Sequence, residues 1–124
     1  MELDILRYIQ ENIPELRGRL FPVFTDDISQ LSIAYQFADI SAGHLSRTQL
    51  TLNVIHDDYD MCMEIHGKLK RILAMEEDAD FLICGNTRFR SVLSAGGGTL
   101  FNNEISIWEV TKYYQIDWRN IKHE

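Results

Sequence analysis

The chain has 124 residues and a mass of 14.5 kDa, room for one domain and too little for two. With 45% apolar and 25% charged residues it is not a disordered, collagenous or fibrous chain. Twelve basic against 19 acidic residues give a net charge of −7, which argues against a nucleic-acid coat or an anionic-membrane binder.

The first residues, Met1-Glu2-Leu3-Asp4, lack the basic stretch and apolar core of a secretory signal. No apolar run approaches the roughly 18 residues that span a bilayer, so a cytosolic chain with no membrane partner is expected. Leu3, Leu6, Ile9 and Ile13, with Ile5 alongside, recur at helical spacing and predict an amphipathic helix over residues 2–13, ended or kinked by Pro14. Arg17-Gly18-Arg19 reads as a turn. Leu20-Phe21-Pro22-Val23-Phe24 is apolar but split by proline, which suits a sheet edge. Ile33, Tyr35 and Phe37 alternate with Ser32, Ala34 and Gln36, and Leu50, Leu52 and Val54 alternate with Gln49, Thr51 and Asn53. Two such runs around Ser41-Ala42-Gly43-His44 predict an antiparallel hairpin.

The period then changes. Cys62, Ile65, Leu69, Ile72 and Leu73 predict a helix over residues 59–75, capped by Asp57 or Asp58, with Lys68, Lys70 and Arg71 towards its end. Glu76-Glu77-Asp78-Ala79-Asp80 reads as a solvated connector. Short strands are expected at 81–84 and 87–94 around Gly85-Asn86. The glycine run in residues 94–99 reads as a mobile hairpin loop. A long last strand over 105–119 places Trp108, Val110, Tyr114, Ile116 and Trp118 on one face, interrupted by Lys112. The layout predicts a single α+β domain over residues 1–124: an antiparallel β-sheet with two main α-helices packed on one face.

Familiar chemistry is missing from the pattern. Gly96-Gly97-Gly98 is followed by Thr99-Leu100-Phe101 rather than by a Lys-Ser or Lys-Thr pair and a helix, so no phosphate loop is formed. Cys62 and His66 share a helix face, but a metal needs three or four ligands and no third sits at a telling spacing. Cys62 therefore reads as core and His66 as a boundary residue. Capping accounts for the aspartates of His56-Asp57-Asp58. The acidic residues lack EF-hand spacing, and no serine lies in a nucleophile elbow. Cys62 and Cys84 read as reduced packing residues, with a bridge between them left open by sequence. Trp108, Tyr113, Tyr114 and Trp118 lie among Glu109 and Asp117 as well as Lys112 and Arg119, which suits a buried sheet face or a subunit interface better than a nucleic-acid platform. No enzyme, cofactor or metal site is expected.

The order of features resembles one viral family. An amphipathic helix, a turn, the segment Arg19-Leu20-Phe21-Pro22, an alternating strand and then Gln49-Leu50-Thr51-Leu52-Asn53-Val54-Ile55 run through Asp57-Asp58-Tyr59 into a long helix. A strand ending in Trp118-Arg119 closes the chain. Over roughly residues 1–120 this is similar to the tail-terminator, or tail-completion, proteins of long-tailed bacteriophages and related prophage particles. The Gly-rich segment and the acidic connector are particular to this sequence. The resemblance implies a structural protein of the virion tail, made in the bacterial cytoplasm. Its copies would close a six-membered homo-oligomeric ring on the tail tube protein, stop tube growth and meet the head-tail connector protein. DNA would pass through the lumen without specific binding. Such a protein can stay monomeric until it meets a tube.

A ring needs two different complementary patches on each subunit. The residues expected to supply partner contacts are Ser94, Gly96, Gly97, Gly98 and Phe101, with His44 and Arg47 at the hairpin tip. Two other readings fit the same layout. One is a different neck or head-tail joining subunit. The other is a small ligand-binding regulatory α+β domain with a pocket lined by Trp108, Tyr114 and Trp118.

Overall fold

The computed structural model describes residues 1–23, 30–41 and 46–121. Among these, the elements in order are α1 (Glu2–Asn12), a 3-10 turn (Pro14–Leu16), β1 (Leu20–Pro22), β2 (Ser32–Ser41), β3 (Ser46–His56), α2 (Tyr59–Leu73), β4 (Leu82–Cys84), β5 (Thr87–Leu93), β6 (Gly98–Asn102) and β7 (Ile107–Asn120). The class is α+β. The strands form one sheet in the order β1-β2-β3-β7-β5-β4, with β6 also on β7. The sheet is mixed rather than antiparallel throughout, because β1 runs parallel to β2. Four strands follow α2 rather than the three expected. The extra one is β6, which takes its first two residues from the expected loop and the rest from a stretch given no element.

α1 buries Ile5, Leu6 and Ile9, and Ile13 follows them into the core. Leu3, expected on that stripe, is 76% exposed, because its position on the first turn faces solvent. Pro14 has no N–H to continue the ladder, so the last helical bond runs from Ile13 N to Ile9 O at 2.9 Å and the chain tightens into the 3-10 turn. α2 is capped as expected: the Asp58 carboxylate accepts the Asp60 N–H at 3.0 Å. Its buried stripe is Cys62, Ile65, His66, Leu69 and Leu73. Tyr8 ties the helices together by donating its hydroxyl to Ile72 O at 2.9 Å, and its ring meets Phe89 edge-on at 5.2 Å.

The alternation of β2, β3 and β7 gives the sheet two unlike faces. One carries Ile33, Leu50, Leu52, Val54, Phe89, Val110, Tyr114 and Ile116 into the same core as the helix residues. Each fully buried aliphatic contributes about 1.5–3 kcal/mol. The other face is mostly polar and buries only a small cluster of Ala34, Ile55 and Ile107. There Asn53 donates to Glu109 at 2.9 Å and accepts from Thr111 at 3.1 Å, while Arg47 pairs with Asp117.

The Arg19-Leu20-Phe21-Pro22 segment has a clear structural task. Arg19 donates to Leu31 O at 2.8 Å and to Ser32 Oγ at 2.7 Å, and its guanidinium lies 5.1 Å from the Phe21 ring centre. It staples β1 to the start of β2. A second staple joins α1 to the β4–β5 hairpin. Asp4 accepts from Thr87 Oγ1 at 2.7 Å and from Asn86 N at 3.2 Å. Those bonds, the Thr87 hydroxyl first, hold the Asp4 carboxyl below its ordinary pKa. Gly85 suits the site at φ +59, and a Cβ there would stand 2.3 Å from the Asp4 carboxylate and displace it from these bonds.

Candidate functional site

The glycine segment is anchored, and the expected mobile hairpin loop is a bulge. β5 and β6 lie end to end along the same side of β7. Leu93 pairs with Tyr114 and Gly98 with Thr111. Residues 94–97 therefore face only Tyr113 and Lys112, an excess of two residues that makes a large irregular bulge in one interrupted strand. Ser94 N still donates to Tyr113 O at 2.9 Å. Gly96 and Gly97 both sit at φ +103. A Cβ on Gly96 would lie 3.1 Å from the Tyr113 ring, and one on Gly97 would lie 2.3 Å from Thr111 O. Close approach to β7 requires glycine here, where the sequence alone suggested freedom.

The bulge delivers β6 to the margin of the sheet. All five of its residues are exposed, Leu100 by 69% and Phe101 by 40%. One edge of β6 pairs with β7, and its outer edge has no partner strand among the described residues. Phe101 faces Trp108 across the pair, with ring centres 4.5 Å apart, and Tyr59 meets the same indole at 4.9 Å. Met63, one turn along from Tyr59, and Ile105, in the β6–β7 turn, add exposed apolar surface. Leu100, Tyr59, Met63 and Ile105 were missing from the sequence expectation. The one local signal for β6 was Asn102-Asn103 as a turn before Ile105.

The expected contact residues divide into two places. Ser94, Gly96, Gly97, Gly98 and Phe101 belong to the bulge and β6. Arg47 belongs to β3, at the other end of β7: its register partner is Asp117, and that of Phe101 is Trp108. Nine residues of strand separate the two, about 30 Å at the usual rise. The two side chains also leave opposite faces. Ser94 and Arg47 do share a groove on the polar face, together with Arg90, Gln115 and Asp117. His44 lies outside the described residues.

The remaining side chains are engaged in packing. His66 is 4% exposed and not at the boundary. Its Nε2–H donates to Val110 O at 2.6 Å, and burial pushes its pKa down. Among the described residues, its Nδ1 and the Ser91 hydroxyl are buried without partners. Cys62 contacts Val54 O at 3.8 Å, and burial raises its thiol to about 11, well outside the reactive range. Both cysteines are free thiols. No cluster of three metal-ligating side chains occurs among the described residues. His56 Nδ1 accepts the Asp58 N–H at 2.9 Å, a turn contact beside the helix cap. Tyr114 is 1% exposed in the core, and Trp118 donates its indole N–H to Thr48 at 2.9 Å. No described helix is long and apolar enough to cross a membrane. Compared with known proteins, the chain matches no family model and no curated sequence.

Proposed function

We propose that this chain acts through its shape, as an assembly subunit of a bacteriophage or prophage tail. Its copies close a ring of six on the end of the tail tube protein, stop polymerisation and offer a surface to the head-tail connector, while DNA passes through the centre. In this reading both helices cover one face of the sheet and leave the margins for neighbours. The observation that carries it is the outer edge of β6. Five exposed residues with no charge and no proline, two of them large and apolar, present unpaired backbone groups beside an aromatic cluster. Soluble proteins ordinarily blunt such an edge unless another chain covers it. A contact from this edge to a different surface of the next copy is head-to-tail, the kind that closes rings.

Electron microscopy of tail tube protein polymerised with and without the chain tests this. The expected result is tubes of limited length bearing a ring at one end. Tubes of unchanged length and bare ends would refute it.

A further inference from the structure

The polar sheet face carries an imbalance at the end remote from β6. Two rows of side chains cross it there. In the first, Asp117 on β7 lies between Arg47 on β3, at 2.8 Å, and Arg90 on β5, at 3.6 Å. That row alternates in sign and is satisfied. The Asp117 side chain is only 8% exposed, so the sheet orders a carboxylate between two guanidinium groups at this cross-strand spacing. In the second row Arg119 on β7 stands directly opposite Arg88 on β5. Like charges placed directly opposite repel, and no carboxylate pairs with either among the described residues. Four arginines thus share one aspartate, in a chain whose net charge is −7.

We propose that this second row is a docking site for an acidic segment of a partner protein, a carboxylate of which sits between Arg88 and Arg119. The bound carboxylate would repeat the pattern of the neighbouring row, with fork-to-carboxylate hydrogen bonds that suit arginine. Two observations favour a protein over a nucleic acid. Ile83, opposite Arg88 on β4 and 61% exposed, flanks the site with apolar surface that a phosphate backbone does not use. The exposed acidic connector also runs nearby: Arg90 donates to Ala79 O at 3.4 Å, and Glu77 lines the groove that holds Arg47 and Arg90. Those carboxylates repel a polymer with a charge at every backbone step more than an acidic segment whose carboxylates are spaced by apolar residues.

The test is fluorescence anisotropy of the full chain with a labelled peptide of alternating Glu and Leu, at low ionic strength, against a single-stranded oligonucleotide of equal charge. R88Q/R119Q is compared with R17Q/R71Q, which removes the same charge from exposed positions elsewhere. The expected result is peptide binding weakened at least about tenfold in R88Q/R119Q and little changed in R17Q/R71Q. The oligonucleotide should bind less tightly than the peptide. Without peptide, R88Q/R119Q should melt no lower than the parent chain, because a repulsion is removed. If the double variant fails to fold, R119Q at the exposed end carries the same comparison. Absence of peptide binding, equal loss in both variants, or tighter binding of the oligonucleotide would overturn the proposal.

Discussion

At one margin of the sheet β1 is three residues long, ends in Pro22 and turns away at Val23, which has φ +66. Arg19 locks it to Leu31 and Ser32, and β2 beyond it carries an exposed Asp39 and an irregularity in its pairing between Asp39 and Ser41. Proline, charge and bulge are the ordinary devices that keep a strand edge from recruiting another chain. At the other margin β6 has none of them. Its bulge lies before the strand and holds it flat against β7, leaving Leu100 and Phe101 in solvent. The same sheet blunts the β1 margin and leaves the five-residue β6 open on the side that also ends in the three-residue β4, so under the proposed assembly β6 is the surface to test for association.

The comparison can be broken in steps. The largest effect is expected from Phe89→Ala. It removes a fully buried ring that meets Tyr8 in the core, and should cost about 3–5 kcal/mol in urea unfolding. Next, Arg19→Ala removes the guanidinium donors from the Leu31 carbonyl and the Ser32 hydroxyl, although the latter keeps its own bond to Gln30 O. It should cost about 1.5–3 kcal/mol and raise hydrogen exchange in β1 and early β2 while leaving β6 unchanged. Gly97→Ala does the reverse. The strained backbone and the clash with Thr111 O should cost about 1–3 kcal/mol, with faster exchange confined to β6 and the first half of β7. An effect of Gly97→Ala on β1, or of Arg19→Ala on β6, would show that the margins are coupled.

The smallest effect is a pH slope. His66 is buried neutral with its pKa lowered, so the unfolded chain binds the proton more readily. Stability should therefore be lost as pH falls below about 6.5, by up to about 1.4 kcal/mol per pH unit, until the folded-state value is reached. His66→Gln should flatten that slope between pH 7 and 5.5, measured by urea unfolding at each pH. An unchanged slope would mean that His66 is protonated in the fold.

Long periodic segments were legible before the structure. The alternation of β2, β3 and β7 and the capped stripe of α2 each depend on local pattern backed by burial, and their bounds moved by only a residue or two. β6 was not legible, because five residues are too few for a period of two to register. The glycines before it gave the wrong signal. Glycine marks positive φ and close approach as well as freedom, and only the Thr111 carbonyl and the Tyr113 ring, brought in by β7, distinguish these. His66 fell on the core side for a similar reason. The Val110 carbonyl that accepts its N–H is 44 residues away in sequence. The pairing of Arg88 with Arg119 depends on register and could not be read from spacing.

The most direct measurement pairs two single substitutions of exposed apolar residues, Leu100→Lys on the open margin and Ile40→Lys on the closed one. Each is scored for thermal midpoint and for tail tubes capped in electron micrographs. Surface changes of this kind alter stability by no more than about 0.5 kcal/mol, so both chains should melt like the parent. The expected result is capping lost with Leu100→Lys and retained with Ile40→Lys. Full capping by the Leu100→Lys chain would contradict assembly through the β6 edge.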